Sequence, residues 1–176
     1  MRLTLGWLCL ASTLVHADWL LVDKVVAVVD LHAITRSDVQ ERAGPVLNVA
    51  KTDAQRVQAR REALTELIEE ALIAKETERL RIEVGAEEVD KALTEVAKQN
   101  QLTVAELIVE TKRQGLDGDK YKDLLRRKIL DYKWVSLRAH RAALPAAEAE
   151  RGAFMASERA RLINELKDRA LIEVKP

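Results

Sequence analysis

The feature that most restricts the fold of this chain is a helix-start pattern that occurs three times. It reads apolar residue, cap residue, two further residues, acidic residue, apolar residue, and it covers residues 34–39, 84–89 and 102–107. The cap satisfies N–H groups that the first helical turn leaves without partners, and the acid lies at the positive end of the helix dipole. The flanking apolar pair can form a hydrophobic staple. Three helices with defined beginnings are therefore predicted.

Helical spacing of apolar residues extends over much of the remaining chain. Positions i, i+3, i+4, i+7 and i+8 are apolar within 53–80 and again within 89–97, which predicts one buried face on each of two helices. The members are Leu64, Leu67, Ile68, Ala71 and Leu72 in the first, and Val89, Ala92, Leu93, Val96 and Ala97 in the second. Gly115 followed by Leu116 is typical of a helix C-cap. A further helix is predicted from about Lys120 to His140, with a buried stripe of Tyr121, Leu124, Leu125, Ile129, Tyr132 and Val135.

A β-branched run lies near the start of the chain. Residues 23–30 (DKVVAVVD) predict a strand, and residues 32–35 are a candidate return strand. The dipeptide Leu31-His32 is a poor hairpin turn, because a tight turn favours Asn or Gly with positive φ.

A second short run closes the chain. Pro145 is predicted to lie at or near the first turn of a last helix, which ends near Asp168, and residues 170–174 (ALIEV) resemble a strand. The credible partner for this strand is the run from Val25 to Val29. The sequence therefore predicts a mostly α fold in which residues 145–176 pack back on the N-terminal part and a small β element ties the chain ends together.

Composition excludes several classes of protein. Of the 176 residues 48% are apolar and 33% charged, which is too charged for a polytopic membrane protein and too apolar for a disordered chain. With 29 basic and 29 acidic residues the net charge is zero. A nucleic-acid partner is not expected, because such binding depends on phosphate neutralisation.

The first 17 residues have the pattern of a secretory signal peptide. Arg2 precedes a mostly apolar run over 5–15, and the small residues in 15–17 match a cleavage site. About 11 such residues form only ~16 Å of helix, roughly half of a bilayer core, so no stable membrane insertion is expected. Cleavage after Ala17 leaves 18–176 as a single exported domain. Outside the cytoplasm no ATP is available, so binding alone must drive its work.

No pattern for catalysis, cofactor binding or metal binding is found. His32 and His140 lack metal-ligand spacing, and no phosphate-binding, dinucleotide, zinc-protease or serine-hydrolase motif occurs. We therefore expect no enzyme, no cofactor and no metal. The predicted helix over 120–140 is rich in Lys and Arg; it is either an anion or membrane-surface patch or a face balanced by acidic helices nearby, and overall neutrality favours the balanced face.

Five segments together resemble a known family. They are VDKVVAVVD, ITRSDV, EEVDKALTEVAKQNQLTVAEL, GLDGDKYKDLLRRKI and ELKDRALIEV, spread over nearly all of residues 18–176. These segments resemble the SurA family of periplasmic chaperones. The resemblance implies a core module made of the N-terminal helical region and the C-terminal helix and strand. In that family parvulin-type prolyl isomerase domains lie between the two parts. Here only about residues 142–149 separate them, whereas a parvulin domain needs roughly 90 residues.

The resemblance implies an ATP-independent holdase of the periplasm. Such a protein binds unfolded outer-membrane proteins by burying apolar area, at roughly 25 cal/mol per Å², and releases them to the outer-membrane assembly machinery. Two alternatives stay open. One is a prolyl isomerase with an unrecognised active site, which the short segment 142–149 disfavours. The other is an adaptor or structural subunit that binds one folded partner.

Five apolar residues are candidates for client contact. Leu107, Ile108 and Val109 are consecutive on a short helix that can bury at most two of them against one neighbour, and Val109 is off the stripe of Leu102, Leu107 and Ile108. Trp134 has the spacing of a core residue, although its size also suits client contact. Trp19 lies outside any periodic segment, so core and client contact are equally open for it.

Overall fold

The two ends of the chain meet in one small antiparallel sheet. The computed structural model describes residues 23–139, 145 and 147–175, so the predicted signal peptide and Trp19 lie outside the described residues. Within them the strands are β1 (Val25–Val29), β2 (His32–Thr35) and β3 (Ile172–Val174). The six helices are α1 (Arg36–Leu47), α2 (Asp53–Arg79), α3 (Ala86–Gln99), α4 (Val104–Arg113), α5 (Gly118–Ala139) and α6 (Glu148–Lys167). The predicted mostly α fold with a small β element is confirmed.

The sheet has the order β2-β1-β3, with both neighbours antiparallel to β1. Val28 lies opposite Ala33 on one side and opposite Glu173 on the other. Two backbone hydrogen bonds flank the β1–β3 pair: Asp30 N–H donates to the Leu171 carbonyl at 2.8 Å, and Lys175 N–H donates to the Val26 carbonyl at 2.8 Å. The predicted pairing of the chain ends is confirmed.

The hairpin turn consists of Asp30 and Leu31, one residue earlier than the dipeptide we considered. Asp30 has a φ of 54°, in the left-handed region that aspartate tolerates better than most residues. Its carboxylate accepts hydrogen bonds from the Lys75 amine at 2.7 Å and from the Leu171 N–H at 3.1 Å. The polar turn residue that seemed to be missing is therefore the last residue of the β-branched run.

Two of the predicted helix starts are complete capping boxes. Thr35 Oγ1 accepts from the Asp38 N–H, and the Asp38 carboxylate accepts from the Thr35 N–H at 2.8 Å. Thr103 and Glu106 repeat this exchange at the start of α4. Each box satisfies two N–H groups that the helix itself leaves unpaired.

Two further starts vary the pattern. Gly85 has no side chain to donate or accept, but the Glu88 carboxylate still accepts from the Gly85 N–H at 3.0 Å. Helix α2 begins with a capping box of Thr52 and Gln55. Our pattern missed it because the pattern required an acid at position 55 and apolar residues at positions 51 and 56, where the sequence has Gln55, Lys51 and Arg56.

Buried side chains form three clusters. The sheet cluster packs β1 and β2 on α1 and α2 and includes Ala27, Val29, Ile34, Val39, Ala43, Ile68 and Leu72. The Trp134 cluster joins α2, α5 and α6 through Ile73, Trp134, Val135, Leu162 and Ile163. The α3–α5 cluster contains Val89, Leu93, Ala97, Leu107 and Leu125. Helix α5 therefore contributes to two clusters with different neighbours.

This change of neighbour explains one wrong prediction. Tyr132 was placed in the buried stripe of α5, but it is 66% exposed. The first half of α5 packs on α3 and α4, whereas the second half packs on α2 and α6. In the second half the residues that face α6 are Trp134 and Val135, which cluster with Leu162 and Ile163, and Asp131, which pairs with Arg159 at 2.7 Å.

The ends of two helices test the remaining cap predictions. Gly115 has a φ of 89°, and the Leu116 N–H donates to the Thr111 carbonyl at 2.9 Å, so the predicted C-cap of α4 is confirmed. Pro145 is not in the first turn of α6, which begins at Glu148 after the N-cap residue Ala147. Its carbonyl instead lies before the helix and accepts from Arg151 Nε at 3.2 Å.

Candidate functional site

An open groove runs along the outer face of α4, and we call it the α4 groove. Val109, 54% exposed, lies in it. The groove has a volume of about 580 Å³ and is otherwise lined by Leu102, Ala105, Glu106, Glu110 and Arg113. These positions follow one stripe of a helix, so the groove is a property of a single surface rather than a gap in the core.

Packing on the opposite side of α4 decides which of its three consecutive apolar residues faces outward. Leu107 is buried in the α3–α5 cluster, and Ile108 is half-buried against the same cluster. Ile108 also closes over Gly118 at the start of α5, where an added Cβ would lie 3.4 Å from Ile108 Cγ2. Val109 is therefore the residue that α4 leaves exposed, as its position off the stripe predicted. Contact of these residues with a client stays a prediction.

The rim of the α4 groove is charged and internally paired. The Glu106 carboxylate accepts from the Thr103 N–H and hydroxyl, both at 2.8 Å, and these bonds hold the pKa of Glu106 below its ordinary value. Glu110 forms an ion pair with Arg113 at 3.2 Å. The groove thus offers an apolar strip bordered by charged side chains that already have partners.

Trp134 is a core residue in this fold. It is fully buried, and Leu162 and Ile163 of α6 belong to the cluster that surrounds it. The docked α6 leaves Trp134 no surface for a client, so we remove it from the candidate contacts. Its indole N–H has no hydrogen-bond partner among the described residues.

Five basic residues of α5 are paired with carboxylates on three other helices. Within the described chain these pairs are Lys120–Glu41, Lys122–Asp90, Arg127–Glu70, Lys133–Glu88 and Arg138–Glu76, and Arg126 pairs with Asp123 of its own helix. The balanced face is therefore the interpretation that the structure supports. An anion-binding patch would need cations that are free of such partners.

The most buried carboxylate belongs to the same network of charges. Glu76 of α2 is 6% exposed, and it accepts two hydrogen bonds from Arg79 at 2.8 Å while lying 3.4 Å from Arg138. The hydrogen bonds from Arg79 are the largest cause of a lowered pKa at Glu76. Glu76 therefore stays ionised and acts as a structural anchor between α2 and α5.

A second groove, which sequence reasoning missed, lies beside the hairpin; we call it the β2 groove. It has a volume of about 730 Å³ and is lined by the hairpin of β1 and β2 and by residues of α1, α2 and α5. Its apolar lining includes Val29, Ile34, Leu67, Ala71 and Ala74. No periodicity within one element could reveal it, because the lining comes from five elements between Val29 and Arg127.

Two absences hold for the described part of the chain. Residues 23–139, 145 and 147–175 contain no group of three His, Cys, Asp or Glu side chains placed to hold a metal ion. Over the same residues no helix has both the length and the apolar character needed to cross a bilayer.

Comparison with known proteins places the chain in a family. The family model "SurA N-terminal domain" matches residues 22–133. A protein named Chaperone SurA from Ralstonia nicotianae is 35% identical over 114 residues, which cover 62% of this chain and 23% of that protein. A second one, from Pectobacterium atrosepticum, is 30% identical over 132 residues, which cover 73% of this chain and 30% of that protein. The chain thus spans between about a quarter and a third of the length of these relatives.

A solved structure shares the fold. It comes from a study of PEB4 and Cj1289 of Campylobacter jejuni, described as two structurally related SurA-like chaperones. The match has a TM-score of 0.51 at 20% identity and covers 79% of this chain and 51% of that one. With the family model matching more than half of its residues, the chain belongs to the SurA N-terminal domain family.

Proposed function

We propose that the protein is an ATP-independent periplasmic chaperone, a holdase that binds unfolded outer-membrane proteins and prevents their aggregation, without isomerase activity. Membership of the SurA N-terminal domain family supports this proposal. The relatives from Ralstonia nicotianae and Pectobacterium atrosepticum are named chaperones, and Cj1289 is described as a periplasmic protein. The signal-peptide pattern of residues 1–17 is consistent with export.

The observation that carries the proposal is the exposed apolar strip of the α4 groove. Val109 is exposed although the fold has a core of similar side chains, and Ala105 and Leu102 extend the strip from it toward the start of α4. Burying apolar surface stabilises a complex by roughly 25 cal/mol per Å². A shallow strip of this kind gives weak binding to many apolar segments. Weak binding suits a client that must be released without nucleotide hydrolysis.

The short connection between α5 and α6 supports the absence of isomerase activity. Helix α5 ends at Ala139 and α6 begins at Glu148. A parvulin domain of roughly 90 residues, within the usual domain size, does not fit in this interval. The protein should therefore leave the rate of a proline-limited refolding reaction unchanged.

The test is an aggregation assay with a urea-diluted outer-membrane β-barrel protein. We expect the purified protein to delay aggregation at near-stoichiometric ratios with no nucleotide. Val109→Asp should reduce the protection, because it places a charge in the apolar strip. Val57→Asp is the matched control, since Val57 is an exposed valine of α2 that lines neither groove.

Three outcomes would contradict parts of the proposal. No protection of any unfolded barrel protein by the wild type removes the holdase function. If Val109→Asp folds normally and protects the client fully, only the proposal that clients bind in the α4 groove is contradicted. Cross-linking in cells that captures one dominant folded partner, instead of a range of barrel precursors, points to an adaptor.

A further inference from the structure

The outer edge of β2 borders the β2 groove, and its backbone is open. Strand β2 is an edge strand in the order β2-β1-β3. Asp30 and Val26 of the central region form backbone hydrogen bonds with Leu171 and Lys175, on the side of β3. Because the N–H and C=O groups of successive residues point to alternate sides of an antiparallel strand, the N–H and C=O of Val28 also point to β3 and not to β2. Ala33, which lies opposite Val28, therefore turns its N–H and C=O away from the sheet.

The groove lies directly under this edge. Leu31 and Ala33 of the hairpin and Leu67, Ala71 and Ala74 of α2 form its accessible apolar lining, whereas Ile34 and Val29, 1% and 3% exposed, close it toward the core. The hairpin tip next to Ala33 carries Leu31, which is fully exposed. The exposed part of the lining thus includes Ala33, the residue that carries the unpaired backbone groups.

We propose that the edge of β2 and the β2 groove bind one extended segment of an unfolded β-barrel protein as an added strand. The proposal rests on the holdase function proposed above and names a second client site with its own chemistry. The N–H and C=O of Ala33 pair with the backbone of the segment. Alternate side chains of the segment then enter the groove, while the others point to solvent.

The geometry selects the kind of segment. An added strand with every second side chain in an apolar groove must alternate apolar and polar residues, which is the pattern of transmembrane strands in β-barrel proteins. Two pairs of rim charges do not favour a charged segment, because Lys75 pairs with Asp30 at 2.7 Å and Glu70 pairs with Arg42 at 2.8 Å. Glu78 also lines the groove, has no ion pair among the described residues and disfavours an acidic segment. An alternating strand without acidic residues is therefore the complementary occupant.

A second copy of the chain fits this site less well. Strand β2 has four residues, and the Thr35 N–H is already taken by Asp38 at 2.8 Å. Two such edges would exchange few hydrogen bonds and bury far less than the roughly 1,200–2,000 Å² of a stable interface. A short edge of this kind suits a flexible segment that binds weakly and also uses the α4 groove.

The test uses a fluorescent peptide of alternating valine and threonine with lysines at both ends, and it measures the dissociation constant by anisotropy. We expect Ala33→Pro to weaken binding about tenfold, since proline removes an N–H and blocks strand addition. Ala33→Val keeps the N–H and should bind as the wild type does. Ala74→Trp, an exposed position of α2, should fill the groove and weaken binding, whereas Ala160→Trp on α6 should not.

Two further measurements address the backbone directly. A peptide that is N-methylated at alternate residues, and so has lost the N–H groups of one edge, should not bind. The amide of Ala33 should exchange with solvent more slowly when the unmodified peptide is present. Thermal unfolding shows whether each variant is folded, and Ala74→Trp keeps the test valid if Ala33→Pro does not fold.

The outcomes separate this inference from the proposed function. Unchanged peptide binding by Ala74→Trp, or full binding of the N-methylated peptide, would show that the segment does not bind as an added strand. The holdase function would still stand if the wild type prevents aggregation. A dimer in ultracentrifugation that Ala33→Pro disrupts identifies a second copy as the occupant and also overturns the proposal. Loss of all protection in the wild type removes the holdase function instead.

Discussion

At the scale of single residues, Asp30 connects three elements that are distant in sequence. Its left-handed backbone forms part of the hairpin turn. Its carboxylate accepts one hydrogen bond from the Lys75 amine of α2 and another from the Leu171 N–H, just before β3. The hydrogen bond from Lys75 is the largest cause of the lowered pKa of Asp30. One side chain thus fixes the hairpin and the C-terminal strand on the same end of α2.

This pKa gives the first prediction. A carboxylate whose pKa is lower in the folded than in the unfolded protein stabilises the fold above its unfolded pKa, about 3.9 for aspartate, and that contribution is lost as the pH falls through the folded value. Asp30→Asn should therefore destabilise the protein near neutral pH and have a smaller effect in acid below pH ~3.9. Urea unfolding over this range measures the difference.

A surface carboxylate serves as the control for Asp30. Asp123 pairs with Arg126 of its own helix and does not connect elements. Asp123→Asn should change the free energy of unfolding little at any pH. If Asp30→Asn behaves in the same way, the connection through Asp30 does not stabilise the fold.

The second prediction concerns the capping box of α4. Thr103→Ala removes the acceptor for the Glu106 N–H, and the loss of such a cap costs ~0.5–2 kcal/mol of stability. Thr94→Ala is the matched control, because its hydroxyl only bonds to the Asp90 carbonyl within α3, where alanine is the better helix former. Equal free energies of unfolding for both variants would mean that the box at Thr103 contributes nothing.

Caps could be predicted from the sequence because all of their partners lie within four residues. Thr35 and Thr103 therefore start helices where the pattern placed them. Exposure depends on neighbours that are distant in the chain. The prediction that Tyr132 is buried was wrong for this reason. The sequence also left open whether Trp134 is a core residue or a client contact, and only its packing under α6 shows that it is a core residue.

At the scale of elements, β3 is the part of the fold whose removal is most informative. It pairs with β1 along Ile172, Glu173 and Val174, and it is followed by a further hydrogen bond from Lys175 to Val26. Truncation after Asp168 would leave β1 with an unpaired edge and uncover Val29.

We expect the truncated protein to lose cooperative thermal unfolding or to aggregate. Glu173→Ala is the control, since Glu173 is exposed and the substitution keeps the backbone that pairs with Val28. Unchanged thermal stability of the truncated protein would contradict a closed core that depends on both chain ends.

The elements themselves follow from periodicity, but their orientations follow only in part. Helix α4 packs on one cluster through a single stripe, so Val109 faces outward. Residue spacing predicts the buried face correctly when a helix packs on one cluster only. Helix α5 packs on two clusters, so its buried face shifts along its length and no single stripe describes it. Pro145 was predicted at or near the first turn of α6 from a preference for proline in first turns, and it lies two residues before the N-cap residue Ala147.

At the scale of the whole molecule, ion pairs connect helices and leave the grooves apolar. Glu69 of α2 receives both Arg159 and Lys167 of α6, at 3.1 and 3.0 Å, and Arg42 of α1 binds Glu70 of α2. This pairing agrees with the equal numbers of acidic and basic residues in the sequence. The β2 groove could not be predicted in the same way, because its lining is assembled only when the hairpin packs on α2.

The last prediction follows from this separation of charged and apolar surface. If clients bind through the apolar strips of the two grooves, raising sodium chloride from about 0.15 M to about 1 M should leave protection against aggregation nearly unchanged. Over that range the screening length falls from about 8 Å to about 3 Å, which removes most attraction between exposed charges. Burial of apolar surface does not depend on such attraction. Aggregation assays at the two salt concentrations, with the stability of the protein measured in parallel, provide the test. A large loss of protection at high salt, with the protein still folded, would assign client binding to the charged rims, and Glu106 and Glu110 would become the residues to substitute.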